Sequence, residues 1–125
     1  MKSLSLFVVL ICMFSGVWAL TVWPEPVMMQ ETDYYSSNNA SVNLENSSVT
    51  VWSDYRSGHQ SLYAQRISET GEKLWTPEGV KLAESELNQR NHKVIVSSDG
   101  GIIVVWKEYQ TISNNQEPNY LMAQK

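Results

Sequence analysis

The sequence predicts an all-β fold built from repeated four-stranded units, and three observations predict it. Short runs rich in Val, Ile, Thr, Tyr and Trp alternate with segments rich in Gly, Asn, Asp and Ser. Blocks of similar sequence recur in the same order 52 to 59 residues apart. The spacing between copies changes only at segments that are typical of turns, where a repeated structural unit tolerates insertions.

Four pairs of matched blocks define the repeat. In the longest pair, VTVWSDYR at Val49–Arg56 matches IVVWKEYQ at Ile103–Gln110, 54 residues later. The other pairs are Asn39–Val42 with Asn91–Val94, Leu62–Arg66 with Leu121–Lys125, and Trp23–Val27 with Trp75–Val80. Chance similarity would not keep this order.

Each unit is predicted to contain four strands. In the first copy they lie at about 40–44, 49–53, 61–68 and 74–82, and in the second at 93–97, 102–107 and from 120 onward. Hairpin turns are predicted at 69–72 and 99–101, and one helical turn at 83–87. The run Ile102–Trp106 is apolar on both faces, which is typical of a sheet covered on both sides. Four-stranded units of about 50 residues predict β-propeller blades, of which about two are present.

The first 19 residues have the pattern of a secretory signal peptide. Lys2 supplies a positive charge, an apolar run of about a dozen residues follows, and Val17 and Ala19 precede a predicted cleavage after Ala19. The apolar run is shorter than the about 20 residues that a membrane-spanning helix needs. We therefore expect an exported protein that is secreted, periplasmic or attached to the cell surface, with no membrane span after cleavage.

The predicted segments follow from the repeat. They are a signal peptide (1–19), an amino-terminal strand and linker with a fourth-strand motif of a preceding or closing blade (20–38), a first propeller repeat (39–90) and a truncated second repeat (91–125). Propellers close with about 4 to 8 blades, so two units predict a fragment of a larger propeller. Further blades would come from more of the chain or from self-association.

Composition excludes several kinds of site and partner. Cys12 is the one cysteine and leaves with the signal peptide, which excludes disulfides, a thiol nucleophile and a cysteine metal site. The net charge of −4 without a basic cluster argues against nucleic acid or anionic membranes as partners. His59 and His92 occupy different repeat positions without a second ligand at metal spacing, so neither a metal nor another cofactor is expected.

Asp54, Tyr55 and Arg56 are the residues that most resemble catalytic groups. They supply a carboxylate, a phenol and a guanidinium, the groups that a sialidase-type glycosidase uses. In the second copy the aromatic positions recur as Trp106 and Tyr109, whereas the Asp and Arg positions do not. This difference favours a structural ion pair at the end of a strand, and no catalytic residue is predicted.

The remaining repeat positions are aromatic or amide side chains. A tryptophan buries on the order of 200 Å², so the tryptophans are expected in the packing between units, with sugar stacking as the alternative if one is exposed. The two glutamines are expected to bridge backbone groups between units. The predicted structural positions are Trp52, Asp54, Tyr55, Arg56, Tyr63, Gln65, Trp75, Trp106, Tyr109 and Gln124.

One set of motifs carries a resemblance to a known family. VWSDYRSG at Val51–Gly58, LYAQR at Leu62–Arg66, then Gly71, Leu74-Trp75 and Gly79-Val80 resemble the tandem repeat of large secreted bacterial β-propeller proteins. The resemblance covers nearly all of residues 23–125. It implies a bacterial propeller with several units, often followed by a sorting or adhesion module that this sequence does not contain.

The sequence therefore predicts an exported, non-catalytic β-propeller module, a scaffold or adhesive surface that binds a glycan or a cell-surface protein. The alternative is part of a propeller hydrolase of sialidase or glycosidase type. An enzyme should carry acids and arginines that break the repeat and converge on a channel, whereas a scaffold should repeat without such exceptions.

Overall fold

The computed structural model describes residues 25–30, 33–110 and 119–125, and these residues form an all-β structure. The strands are β1 (Ser36–Leu44), β2 (Ser47–Asp54), β3 (Ser61–Ser68), β4 (Val80–Lys81), β5 (Asn88–Val96), β6 (Ile102–Tyr109) and β7 (Asn119–Gln124). The first sheet has the order β1-β2-β3-β4 and the second β5-β6-β7, with every pair antiparallel. The all-β prediction is confirmed.

The first strand of each sheet begins close to a predicted segment boundary. β1 and β5 begin at Ser36 and Asn88, three residues before the boundaries expected at 39 and 91. The predicted fourth strand at 74–82 is reduced to β4, preceded by an isolated bridge between Ile67 and Lys73. The predicted signal peptide, its predicted cleavage site and residues 111–118 between β6 and β7 lie outside the described residues.

Both predicted hairpin turns are present in the structure, and each is closed by a backbone hydrogen bond. The Ser68 N–H donates to the Glu72 carbonyl (2.9 Å), and the Ser97 N–H donates to the Gly101 carbonyl (2.8 Å). Lys125, just after β7, pairs with Asp99 in the second turn, and hydrogen bonds from Lys125, Ser97 and the Gly101 N–H lower the pKa of Asp99 to about 2. The salt bridge thereby connects this turn to the end of the edge strand β7 in the same sheet.

The predicted helical turn at 83–87 is wrong. These residues form an irregular connection to β5, in which the Leu87 N–H donates to the Ser85 hydroxyl (3.1 Å). A serine side chain that bonds a nearby backbone group competes with helix formation. Five residues are also too few to form a helix without strong capping.

The first strand of each sheet carries the same irregularity. The register of β1 against β2 shifts between Ser37 and Ala40, and that of β5 against β6 between Arg90 and Lys93. The residue that follows the regular pairing is an asparagine with positive φ in both cases, Asn38 (φ 51°) and Asn91 (φ 55°). Asparagine is several-fold enriched among non-glycine residues in this region of φ and ψ.

The sheets pack on each other through unlike faces. Side chains alternate along a strand, so Val51 lies on one face of the first sheet and Trp52 on the other. The core joins the Val51 face of the first sheet to the Trp106 face of the second. Its buried members are Val49, Val51, Leu62, Ala64, Val104 and Trp106.

Exposed apolar side chains lie on the second face of the β5–β7 sheet. Register places Ile95, Ile103 and Leu121 on the face opposite to Trp106. Leu121 is 74 % exposed and Ile95 is 56 % exposed. Within the part of the chain that the structure describes, the prediction that Ile102–Trp106 is covered on both sides is therefore correct for the Trp106 face only. We call the opposite face, formed by Ile95, Ile103, Val105, Leu121 and Ala123, the open face.

The loop that contains Gly79 packs on Trp52 of the first sheet. Gly79 has φ +82°, and a Cβ there would lie 2.6 Å from Cη2 of Trp52 and 2.8 Å from the carbonyl oxygen of Ala64. Both the backbone conformation and the close approach of the indole require a residue without a side chain.

We predict that Gly79→Ala destabilises the protein more than Gly58→Ala does. Gly58 has φ +85°, but no atom lies within 4 Å of the position that a Cβ would take, so alanine there meets only backbone strain of about 1 to 2 kcal/mol. At Gly79 the collision with Trp52 adds about 1 to 3 kcal/mol. Urea denaturation of both variants measures the difference. Equal losses would mean that the loop does not rest on Trp52.

Candidate functional site

The acid of the VWSDYR motif lies inside the protein. Asp54 is 0 % exposed at the end of β2. Its Oδ2 accepts from the indole Nε1 of Trp52 (3.0 Å) and from Nη2 of Arg56 (2.6 Å), while Oδ1 accepts from the Arg56 backbone N–H (3.1 Å). Both carboxylate oxygens are thus engaged within the motif, as a buried charge requires.

Arg56 links this carboxylate to an aromatic side chain and to the covering loop. Its guanidinium carbon lies 3.9 Å from the ring centroid of Tyr63, and its Nη1 donates to the Glu78 carbonyl (2.8 Å). Tyr63 stacks on Trp52 with ring centroids 6.5 Å apart. Tyr55 does not join this cluster and is exposed. The arrangement is a packed set of charge-assisted and aromatic contacts.

Gln65 acts within one sheet and its loop, not between units as the sequence led us to expect. Its Nε2 donates to the Thr76 carbonyl (2.6 Å), and its Oε1 accepts from the backbone N–H of Trp75 (3.2 Å). The buried amide thereby fixes the loop that follows β3. Trp75 is half-buried against the core, while Trp52 and Trp106 are buried.

The second sheet repeats the tryptophan-to-acid contact with a different neighbour. Nε1 of Trp106 donates to Oε1 of Glu108 (3.1 Å), as Trp52 does to Asp54. The same Glu108 oxygen accepts from Nε2 of Gln89 on β5 (2.9 Å). A neutral amide from the adjacent strand thus takes the position that Arg56 has in the first sheet.

Gln89 also connects the two sheets, and sequence reasoning missed it. Its Oε1 accepts from the Leu62 N–H (2.9 Å), and its own backbone N–H donates to the Gln60 carbonyl (2.7 Å). The Tyr109 hydroxyl donates to Oε1 of Gln60 (3.3 Å). No local pattern marks these glutamines, because the bonds that join the two sheets connect residues far apart in the sequence.

His92 forms a second polar link across the sheets. The residue is 6 % exposed, and its Nε2 lies 3.1 Å from the Val51 carbonyl oxygen. Since a carbonyl only accepts, Nε2 carries the proton and Nδ1 is the lone-pair nitrogen of a neutral ring. Burial, together with the charge of Lys93, lowers the pKa of His92 although the bond to Val51 opposes this.

Two of the predicted positions lie in the second sheet, Tyr109 at the end of its central strand and Gln124 near the end of its edge strand. Tyr109 packs under the guanidinium of Arg90, whose Cζ is 3.7 Å from the ring centroid. Gln124 is exposed on the edge strand β7. The ten predicted positions therefore separate into a compact group of Trp52, Asp54, Arg56 and Tyr63, the bonded pair Gln65 and Trp75, and four residues at separate places, which are Tyr55, Trp106, Tyr109 and Gln124.

Comparison with known proteins and the remaining side-chain clusters assign no function to this chain. No protein-family model, curated protein or solved structure matches the chain. Within residues 25–30, 33–110 and 119–125, no cluster of three or more His, Cys, Asp or Glu side chains is placed to hold a metal ion. The same residues contain no helix long and apolar enough to cross a membrane.

We predict that Arg56→Met costs about 3 kcal/mol of unfolding free energy, because it leaves the buried Asp54 carboxylate without its cation. The matched control is Arg66→Met on β3, where Nε donates to the Ser47 hydroxyl (2.8 Å) and the expected loss is about 1 kcal/mol. Chemical denaturation measures both. Similar losses would contradict a structural role for the Asp54–Arg56 pair.

We predict that stability falls as the pH drops through 6.5, the ordinary pKa of histidine. The folded state holds His92 neutral below this pH, while the unfolded state binds the proton, so acid favours unfolding until the lowered folded pKa is reached. Melting temperatures measured against pH for the parent chain and for His92→Gln test this. The variant should show a smaller acid slope, and an unchanged slope would be inconsistent with a buried neutral His92.

Proposed function

We propose that the chain is an exported, non-catalytic module of the β-propeller type that acts as a scaffold or adhesive surface outside the cell. Export rests on the signal-peptide pattern of residues 1–19, and the propeller assignment on the repeat and on the family resemblance. The observation that carries the proposal is the open face of the second sheet, which supplies a surface for stacking a further sheet.

The open face has the same apolar pattern as the face that the first sheet buries. When the sheets are matched by register at Trp52 and Trp106, the residues Val42, Val49, Val51, Leu62 and Ala64 correspond to Ile95, Ile103, Val105, Leu121 and Ala123. In the first sheet this pattern packs on a face that carries a tryptophan. The open face is therefore suited to pack on another sheet face that carries a tryptophan.

A cavity beside Trp106 also supports stacking of repeated units. In the first sheet, the loop that contains Gly79 packs directly on Trp52. In the second, Trp106 borders a cavity of about 470 Å³ that Leu82 and Met122 also line. A loop like the one that covers Trp52 would occupy such a space.

Two lysines define what the partner must offer. Lys93 and Lys107 lie on the open face at the register positions that Ala40 and Ser53 have in the first sheet. Lysines within an apolar sheet surface oppose indiscriminate aggregation. We therefore infer a partner sheet that carries carboxylates or carbonyl oxygens at this end of the contact.

The contacts of Asp54 favour the non-catalytic assignment over the hydrolase. A glycosidase carboxylate must reach the glycosidic bond, as a nucleophile or as an acid. Asp54 is fully buried, and Trp52 and Arg56 occupy its oxygens.

We predict that the chain self-associates through the open face and that Leu121→Lys weakens this association at least tenfold. The new charge would lie on an exposed site directly opposite Lys107, so it disrupts docking without disturbing the core. Sedimentation velocity over a concentration series measures the effect. The control is Leu74→Lys, which charges an exposed leucine of the first sheet's loop. A concentration-independent monomer, or equal effects of both variants, would contradict the proposal.

A further inference from the structure

A polar cleft lies where the irregular parts of β1 and β5 meet. The two strands are in contact, and their register shifts bring Asn38 and Asn91 to the same cleft. Its volume is about 350 Å³. The lining residues are Asn38, Asn39, Ala40, Asn91, His92 and Lys93.

The backbone at this cleft is held in an unfavourable conformation on both sides. Asn38 and Asn91 have φ values of 51° and 55°, in the left-handed region that L-residues other than glycine rarely adopt. Bulges redirect side chains and are over-represented beside active sites. Here both asparagines of the two bulges line one opening.

The lining groups select a ligand with many hydroxyl groups. Asn38, Asn39 and Asn91 are exposed, and each carboxamide both donates and accepts hydrogen bonds. Lys93 is exposed as well and adds donors, while none of the described lining residues carries a carboxylate. One cation is too few for a phosphate site, and an apolar ligand would leave the amides without partners. Sugar hydroxyls match this mixture.

His92, one of the residues that line the cleft, has an unpaired buried acceptor. Its Nε2 donates to the Val51 carbonyl, which leaves Nδ1 as a lone-pair acceptor. This Nδ1 is buried and has no hydrogen-bond partner within the described part of the chain. An unpaired buried acceptor is unusual, and a hydroxyl group, directly or through a water molecule, would satisfy it.

We propose that this cleft binds a saccharide, with the carboxamides of Asn38, Asn39 and Asn91 bonding its hydroxyl groups. The exposed Tyr34 and Tyr35 immediately precede β1, with Tyr35 about 10 Å along the chain from Asn38. They offer aromatic faces to a second sugar unit. The proposal rests on the proposed extracellular binding function, whose glycan partner it assigns to a defined place.

The test is a titration of the nitrogen-15-labelled chain, followed through its carboxamide NMR signals. The probes are chitotriose and maltotriose as neutral sugars and sialyllactose as an acidic one, each to about 10 mM. We expect at least one sugar to shift the carboxamide signals of Asn38, Asn39 and Asn91. A response to sialyllactose alone would support the cleft and assign Lys93 to the acidic group. No shift with any sugar, or shifts confined to another surface, would overturn the proposal.

Variants separate this inference from the scaffold function. Asn38→Gly with Asn91→Gly removes both carboxamides while keeping residues that tolerate positive φ, and it should weaken sugar binding at least tenfold. Asn46→Ala, at an exposed asparagine in the turn between β1 and β2, should leave binding unchanged. Sedimentation of the same samples reports the scaffold function independently. Self-association without sugar binding overturns only the cleft, and sugar binding by a monomer overturns only the stacking.

Discussion

The packing of the first sheet on the Trp106 face of the second is the contact on which the rest of the structure depends. Val51, Leu62 and Trp106 lose nearly all their exposure there, and each apolar side chain of this size contributes about 1.5 to 3 kcal/mol when buried. Burial also encloses polar groups at the same boundary. Gln89 and His92 satisfy two of them, by accepting from the Leu62 N–H and by donating to the Val51 carbonyl.

The tryptophan and its acid form the second constraint. The indole donates to a carboxylate two residues later in both sheets, although one carboxylate is an aspartate and the other a glutamate. The counterpart of the acid differs, since Arg56 provides a charge and Gln89 a neutral amide. The hydrogen bond to the indole is thus compatible with either neighbour. In each sheet, this hydrogen bond holds the buried carboxylate near the strand end against the indole of the tryptophan.

Sequence reasoning predicted the strands well because alternation and turn residues are local signals. The hairpins at 69–72 and 99–101 follow from glycine and its neighbours, and the strand cores follow from Val, Ile and Trp. It could not predict the polar links, because Gln89 bonds a residue 27 positions away and His92 one 41 positions away. It also aligned the first strands with Asn39 over Asn91, whereas matched register places Asn38 over Asn91. The bulge is the same in both strands, so the match is set by the pairing of each strand with its neighbour, which a comparison of the sequences does not contain.

The packing of the Val51 face of the first sheet on the Trp106 face of the second is tested most directly by nuclear Overhauser contacts in the folded chain. We expect contacts between the indole ring protons of Trp106 and the methyl groups of Val49, Val51 and Leu62, because these side chains share one buried cluster. The methyl groups of Leu121, on the opposite face, should show none to Trp106. Contacts from Trp106 to Leu121, or none to the first sheet, would contradict the packing on which the open face and the polar cleft both depend.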